Sequence, residues 1–505
     1  MKHSQLLILL PVLLPLLGAI LTLPFLKFRM YQRTVFVLFA IATLVSSGFL
    51  LLNVTTFGIT SLSVGSWQAP FGIAFVADTL SALMVVISGV LAVAISIYSI
   101  GAVDSVREKF GYYPLMLMLL MGINGSFLTG DIFNLYVWFE VMLISSFVLI
   151  ALGNTRDQLE GAMKYVTINL VSSFIFLISA GVLYGMVGTL NMADLSVRLQ
   201  NYPDRGVVNL IAMLMMISFG VKSAVFPLFA WLPASYHTPP ITISAFFAGL
   251  LTKVGVYALL RVFTLIFVQD TQLTHSVLLV IAVVTMVVGV FGAAIQMEIR
   301  KILSFHIVSQ IGYMIMGLAI FTPLAIAGTV FYITHHIIVK TNLFLVGGII
   351  RRYTGSYQLK QIGGLYKKKP LIGLLFLIPA LSLAGLPPLS GFWAKFLIIK
   401  SGLEASQFTA SVIALLVSIL TLYSMMKIWN EAFWKDAPKD PDPLPAEIAG
   451  RSPLWLIVPA VMLAAITIAI GFYTEPFVQL ATNAANELLN RNGYIEAVLG
   501  KGVVP

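Results

Sequence analysis

Residues 219–240 read FGVKSAVFPLFAWLPASYHTPP. The stretch places a lysine, Lys222, in an apolar run of helix-forming residues, and Pro227 interrupts that run five residues later. A proline inside a helix removes a backbone hydrogen bond and clashes with the preceding turn. The freed backbone groups need protein or water as partners, and so does a buried ammonium. The stretch therefore predicts a broken membrane helix that holds a cation.

The composition of the whole chain indicates a membrane protein. Of its 505 residues, 59% are hydrophobic and 10% are charged, and the mean hydropathy is +0.97. The apolar runs are about 18–25 residues long, which is enough to cross the hydrocarbon core as helices. Lipid cannot satisfy the edge of an open sheet, and the runs lack the alternation of barrel strands. We therefore predict an all-α polytopic membrane protein.

The apolar runs predict about fourteen transmembrane helices. The first, over residues 4–26, is interpreted as a retained helix because its positive charges follow the apolar stretch and no cleavage site is present. The predicted centres lie near residues 15, 43, 87, 121, 142, 176, 219, 252, 287, 312, 338, 385, 420 and 463.

The distribution of lysine and arginine predicts the orientation. The odd-numbered connections hold about seventeen of these residues and the other side about seven. The odd connections, including 351–369 and the proline-rich linker 431–453, should therefore be cytoplasmic. With an even number of spans, both termini would lie outside the cytoplasm.

A second broken span resembles the first. In LSLAGLPPLSGFWAKF (381–396), Pro387 and Pro388 precede Lys395. The breaks fall in predicted helices seven and twelve, each the fourth helix of a set of five (helices four to eight and nine to thirteen). An odd number of spans per set makes the second copy inverted. Such paired breaks in inverted halves indicate a transport site. The predicted architecture is one transmembrane domain over 1–475, with repeats at about 112–264 and 276–434, and a short extracytoplasmic interfacial tail over 476–505.

Five charged residues are predicted to lie inside the membrane. A charge at the bilayer centre costs about 2.5–3.5 kcal/mol even on the insertion scale. Snorkelling of the side chain to the interface is the alternative to a functional role. The candidates for proton transfer are Glu140, Lys222, Lys253, Lys340 and Lys395.

Three further charged residues have a simpler interpretation. Lys164 and Arg261 lie near the ends of their spans, so we interpret both as snorkelling side chains. Asp78 stands at the start of the third span and is either a helix cap or a secondary site candidate.

Glu140 and Lys222 are interpreted as a pair. If the carboxylate moves away, the buried ammonium loses its compensating charge and releases its proton, so that the pair works as an electrostatic latch. The alternative is a static ion pair that locks two helices together. The sequence does not distinguish them.

Histidines are the candidate relays between the lysines. His336 is the i, i+4 neighbour of Lys340, whereas His335 points about 100° away. His335 and His306, which lies near Lys301, are secondary candidates, and each histidine could instead be a core residue. No grouping has the spacing of metal ligands, so no metal and no cofactor is expected.

Other classes of function lack their motifs. The chain has no cysteine and neither nucleotide-binding glycine motif, so no disulfide, thiolate cluster or nucleotide site is expected. The basic residues are scattered over loops, which does not indicate nucleic-acid binding. The chain must therefore exchange one ion gradient against another or be driven by a partner.

Several motifs resemble a known family. FNLYVWFE, KSAVFPLFAWLP, RKILSFHIVSQIGYM and LPPLSGFWAKF are similar to the antiporter-like subunits of respiratory complex I, membrane hydrogenases and Mrp (multiple resistance and pH) sodium/proton antiporters. The resemblance covers predicted helices four to thirteen most strongly. It implies fourteen helices, two inverted repeats and a hydrated row of charges, which match Glu140, Lys222, Lys253, His336, Lys340 and Lys395.

Within the family, the motifs are most similar to the Mrp branch. The middle complex I subunit usually has glutamate at the position of Lys395, and the distal one has a histidine near Phe247. The resemblance implies transport of H⁺ and Na⁺, partner Mrp subunits and a bacterial plasma membrane. Alternatives are a pumping subunit of complex I or of a hydrogenase, a transporter of organic solutes, and a structural scaffold.

Overall fold

The computed structural model describes residues 6–67, 69–437 and 451–500. The α-helices follow one another as α1 (Leu10–Thr22), α2 (Arg29–Phe57), α3 (Thr79–Ala102), α4 (Ser105–Lys109), α5 (Tyr112–Leu128), α6 (Ile132–Ala151), α7 (Arg156–Val187), α8 (Met192–Arg198), α9 (Arg205–Ser223), α10 (Trp231–Ser235), α11 (Ile241–Leu265), α12 (Thr271–Ile295), α13 (Ile299–Ile320), α14 (Pro323–Thr354), α15 (Leu365–Lys368), α16 (Pro370–Ala384), α17 (Ser390–Glu404), α18 (Phe408–Trp429), α19 (Leu454–Phe472), α20 (Thr474–Leu489) and α21 (Arg491–Leu499). A small antiparallel hairpin pairs strands β1 (Thr60–Ser63) and β2 (Ala74–Ala77).

Helices of membrane-spanning length make up most of the molecule. Within the described ranges, eleven helices are long and apolar enough to cross a membrane, and three shorter apolar helices lie at Leu10–Phe25, Tyr112–Leu128 and Pro370–Ala384. The predicted centres fall inside helices, apart from 385, which falls on a break. The prediction of an all-α polytopic membrane protein is confirmed. The count of fourteen spans and the two inverted repeats stay predictions.

Both predicted helix breaks are present. The first follows Ser223, where Ala224 adopts a left-handed conformation with φ 60°, and helix resumes at Trp231. The second follows Ala384, where Gly385 has φ 92°, and helix resumes at Ser390. A left-handed residue ends a helix because it turns the chain away from the next intrahelical hydrogen bond. The second break separates two half-helices of 15 residues each, α16 and α17. The first separates the 19-residue α9 from the five-residue α10.

Burial separates a central group of helices from a peripheral one. The most apolar window of α11 is 100% buried within the protein, and those of α13 and α14 are each 94% buried. The corresponding windows of α2, α7 and α12 are only 39% buried. A helix that is enclosed on all sides can carry polar side chains only if protein or water satisfies them. The central helices carry Lys253, His306, His335, His336 and Lys340.

The odd-numbered connections share one face of the molecule. A cavity of about 620 Å³ is lined by residues from the third, fifth, seventh, ninth and eleventh connections. These residues include Asp104, Arg107, Thr155, Thr238, Glu298 and Arg351. The position of these connections on one face agrees with the prediction that successive spans cross the membrane in alternating directions. The linker predicted over 431–453 is described only at its two ends, because 438–450 lies outside the described residues.

The chain after Tyr473 forms two helices that pack on the molecule itself. α20 packs against α3, α11 and α14, and α21 contacts α8 and β1. One face of α20 is apolar and faces this contact, since Ala484 and Leu488 are buried. The described part of the tail therefore covers one end of the helical bundle, and its predicted interfacial position stays a prediction.

Candidate functional site

Lys222 lies in the last turn of α9, next to the first break. Its Nζ donates to the Asn169 carbonyl oxygen at 3.4 Å and to Ser173 Oγ at 3.2 Å. The ammonium also lies 5.6 Å from the centre of the Phe139 ring. A cation near the carboxyl end of a helix is stabilised by the helix dipole and the free carbonyl groups. The break therefore provides a polar setting for this lysine.

Glu140 does not form the direct ion pair that the static alternative requires. Within the part of the chain that the structure describes, no ion pair within 4.0 Å joins Glu140 to Lys222, although the two interact electrostatically. One carboxylate oxygen of Glu140, Oε1, is buried and has no hydrogen-bond partner. Asn169 and Ser173 hold the ammonium instead. The two charges therefore act on each other across a gap.

A small cavity extends from Lys222 toward α11. It measures about 20 Å³ and is lined by Lys222, Asn169, Trp231, Val254 and Gly255, among others. A cavity of this size can hold one water molecule, for which Lys222 and Asn169 supply polar groups. Val254 and Gly255 belong to α11, so the cavity lies between the two helices that carry Lys222 and Lys253.

Lys253 and Lys340 lie at the centre of the molecule. Both side chains are fully buried, which rules out snorkelling for either. Lys253 Nζ donates to the Ala248 carbonyl oxygen at 2.5 Å, whereas Lys340 Nζ has no hydrogen-bond partner among the described residues. Their helices pack closely, since a methyl group at Gly249 would overlap Thr341 Oγ1. The two amines interact electrostatically.

His336 lies at the convergence of the row. It is fully buried, and neither ring nitrogen has a hydrogen-bond partner within the described ranges. It interacts electrostatically with Lys253, Lys340, His335 and His306. His306 is likewise buried with both ring nitrogens unpartnered. The predicted primary and secondary histidines are thus brought together.

His335 makes the contact to the second break. Its Nδ1 lies 2.8 Å from Ser390 Oγ, and Ser390 Oγ lies 3.0 Å from Ser382 Oγ. Ser390 is the first residue of α17 and Ser382 belongs to the last turn of α16. His335 therefore joins α14 to both half-helices of the broken span, a role that its spacing from Lys340 did not predict.

Lys395 lies on α17 and is buried against the second break. Its Nζ donates to the carbonyl oxygen of Ala384 at 3.0 Å and lies 5.0 Å from the centre of the Tyr313 ring. Snorkelling is therefore ruled out here as well. A Cβ at Gly385 would approach Lys395 Cδ to 2.8 Å, so glycine leaves room for the lysine. A cavity of about 380 Å³ beside Lys395 reaches Lys400 and Glu404 at the end of α17.

Besides Asn169 and Ser173, further polar residues of the site were not predicted: Tyr332, Gln310 and Asn342. Tyr332 donates a hydrogen bond to Gln310 Oε1 and stacks at 12° to Tyr313. Asn342 is fully buried, and neither of its side-chain polar atoms has a partner in the described chain. The signal in the sequence was the presence of amides inside apolar spans, in SQIGYM and VKTNLF.

The interpretation of Arg261 as a snorkelling residue is wrong. Its side chain is 3% exposed, and Nη2 lies 2.6 Å from Asp78 Oδ2. The reason is that α11 is enclosed by other helices, so its side chains have no path to the lipid. Asp78 forms a helix cap, one of its two alternatives, because its Oδ1 accepts a hydrogen bond from Ser81 N at 2.9 Å. Lys164 is exposed and pairs with Glu160.

Comparison with known proteins agrees with this geometry. Residues 129–421 match the family model described as NADH:quinone oxidoreductase/Mrp antiporter, TM. The chain is 45% identical to the D subunit of the Na(+)/H(+) antiporter of Alkalihalophilus pseudofirmus, over 98% of this chain and 99% of that one.

Solved structures have the same fold. A chain of the Mrp complex from Dietzia sp. superimposes with a TM-score of 0.92 at 33% identity, covering 99% of this chain and 100% of that one. A chain of respiratory complex I from Thermus thermophilus gives a TM-score of 0.78 at 22% identity, covering 96% and 100%, which shows a shared fold alone. The family match spans both helix breaks and the buried row of lysines and histidines, and the protein belongs to the NADH:quinone oxidoreductase/Mrp antiporter membrane family.

Proposed function

We propose that this chain is the proton-translocating subunit of a multisubunit Na⁺/H⁺ antiporter, in the place that the D subunit has among its relatives. It is a transporter subunit of a bacterial plasma membrane, and its partners are the other subunits of an Mrp-type complex. H⁺ is the ion that it moves, and Na⁺ is the ion exchanged by the complex. The proposal includes no cofactor.

The observation that carries the proposal is a set of buried nitrogens without partners. Lys340 Nζ and both ring nitrogens of His336 and His306 have no hydrogen-bond partner in the described chain. Buried polar groups in proteins are nearly always satisfied, and water satisfies them where the protein does not. Water between these groups would join them into a chain along which protons can move.

The electrostatic contacts suggest the order of the chain. Glu140 interacts with Lys222, Lys253 with Lys340, and His335 with Lys395. The water-sized cavity beside Lys222 extends to Leu251, Val254 and Gly255 on α11, the helix that carries Lys253. A cationic lysine then passes its proton to a neutral imidazole or amine, and movement of Glu140 controls when Lys222 releases its own.

Similarity to relatives favours the Mrp antiporter over complex I. The relative named as an antiporter component is 45% identical to this chain, whereas the complex I chain is 22% identical. The competing function is that of a proton pump powered by a redox module. A solute transporter would need polar groups specific to its substrate, whereas the buried polar row here consists of amines and imidazoles that titrate. A scaffold would have no use for such a row.

Purification of the native complex followed by transport assays tests the proposal. We expect small antiporter subunits to co-purify, and everted vesicles to show sodium-dependent proton flux that disappears when this chain is deleted. Co-purification of quinone-reducing or hydrogenase subunits would support the competing function.

We further propose that both termini lie outside the cytoplasm. The chain has no native cysteine, so single introduced cysteines report on one position each. An impermeant maleimide should label Asn201→Cys in intact cells and Lys368→Cys only in everted vesicles. The opposite pattern would invert the proposed topology.

A further inference from the structure

Arg261 lies at the centre of a buried cluster at one end of α11. Its guanidinium pairs with Asp78 at 2.6 Å. It also lies 5.4 Å from the centre of the Tyr257 ring and 5.1 Å from that of Tyr494. An arginine that is paired and enclosed by two aromatic rings is fixed in position.

The carboxy-terminal tail closes this cluster. Tyr494 belongs to α21 and is 3% exposed. On α20, Glu487 accepts hydrogen bonds from Thr79 N at 2.7 Å and from Thr79 Oγ1 at 2.8 Å. The tail is therefore attached to the start of α3, beside Asp78, and holds Tyr494 over Arg261.

The cluster stands between Lys253 and this end of the molecule. Arg261 is two turns from Lys253 on the same helix, which corresponds to about 12 Å along the axis. Tyr257 lies between them, accepts a hydrogen bond from Arg261 Nη2 at 3.2 Å and donates one to the Phe127 carbonyl oxygen at 2.6 Å. A proton that left Lys253 along α11 would have to pass these groups.

We infer that Arg261, fixed by Asp78 and enclosed by Tyr257 and Tyr494, is an electrostatic seal that prevents protons on Lys253 from escaping at the tail-covered face. The inference rests on the proposed proton transport. Arginine does not give up its proton, so it cannot act as a relay, and its fixed charge repels a proton that approaches.

The seal has a clear use in an exchanger. A row of proton sites that was open to both faces at once would dissipate the gradient that the protein is meant to exchange. Without Arg261, the buried carboxylate of Asp78 would lose its counter-ion and would become a proton acceptor. Loss of the arginine would thus turn a barrier into a step of a leak pathway.

The test is passive proton leak through the complete purified complex in proteoliposomes. A pH gradient is imposed without Na⁺, and its decay is followed with an internal pH dye. A unit charge at this separation changes proton occupancy by about tenfold at an effective dielectric constant of about 20, so Arg261→Met should speed the decay by about tenfold. Arg198→Met is the matched control, because Arg198 also pairs with an aspartate, Asp194, but its own side chain is 47% exposed. Its leak should equal that of the wild type.

Loss of a structural contact alone would lower thermal stability without a leak. An assembled Arg261→Met complex that held the gradient as well as the wild type would overturn the seal. If that variant does not assemble, Tyr494→Ala is measured instead, since it removes the cover and no charge, and wild-type tightness would again refute the inference. If the wild-type complex shows no sodium-dependent exchange but the Arg261→Met complex leaks protons, the proposed antiport is rejected and the seal is still supported.

Discussion

The imidazole of His335 lies 2.8 Å from the hydroxyl of Ser390, across the interface between α14 and α17. The hydroxyl is also within hydrogen-bonding distance of Ser382. A histidine on an unbroken central helix is thereby linked to the two halves of a broken one. Lys395 lies little more than one turn after Ser390 on α17. The contact between His335 and Ser390 therefore links the helix that carries Lys340 to the half-helix that carries Lys395.

Replacement of Ser390 by alanine should slow transport. The change leaves His335 Nδ1 without its partner, and a lost hydrogen bond of this kind costs about 1–3 kcal/mol. We expect sodium-dependent proton flux in everted vesicles to fall by about tenfold. Ser411→Ala is the control, because Ser411 Oγ donates to the carbonyl oxygen of Gln407, the residue just before its own helix, and not to a histidine. Equal flux in the two variants would remove Ser390 from the pathway.

Removal of either member of the latch should abolish exchange. Glu140→Ala leaves Lys222 without the charge that controls it, and Lys222→Ala removes the proton carrier. Sodium-dependent proton flux should be lost in both variants while the complex still assembles, as judged by co-purification. Near-normal flux in either variant would count against the latch.

Arginine at position 222 should also fail. It keeps the positive charge but barely deprotonates, so it holds Glu140 without passing a proton on. The exposed Lys164, paired with Glu160, provides the control Lys164→Arg, which should transport normally. Flux through Lys222→Arg at the wild-type rate would show that Lys222 does not release a proton.

Lys395→Ala should block one outlet of the row. The ammonium lines the cavity of about 380 Å³ that reaches the end of α17. We expect sodium-dependent proton flux to be lost, and Lys400→Ala, at the exposed end of the same cavity, to have little effect. Unaltered flux in Lys395→Ala would discredit this exit.

Gly391→Ala should destabilise the second break. A methyl group there would overlap the carbonyl oxygen of Ser382, which is backbone and cannot rotate away. Forced separation of two packed helices typically costs about 1–3 kcal/mol, so the melting temperature of the purified complex should fall. Gly181→Ala, where a methyl group meets no atom within 4 Å, is the control. Equal melting temperatures of the Gly391→Ala and Gly181→Ala complexes would show that the contact between α16 and α17 adjusts to the added methyl group.

The sequence predicted the features that depend on single unusual residues. Both breaks were predicted from proline and glycine, and the buried amines were predicted from lysines in apolar runs, because each of these residues is costly in a membrane helix. Contacts between distant segments were not predictable. Asp78 pairs with Arg261 far along the chain, and Asn169 and Ser173 take the place next to Lys222 that Glu140 was expected to fill.

The enclosure of α11 has a consequence for synthesis of the protein. Lys253, near the middle of this span, costs about 2.5–3.5 kcal/mol in lipid, and Arg261 near its end adds a second charge that opposes release of the helix by the insertion machinery. The segment that carries Asp78 emerges from the ribosome earlier, whereas α14 and the tail emerge later. α11 must therefore remain sheltered at the translocon until the helices that surround it have been made.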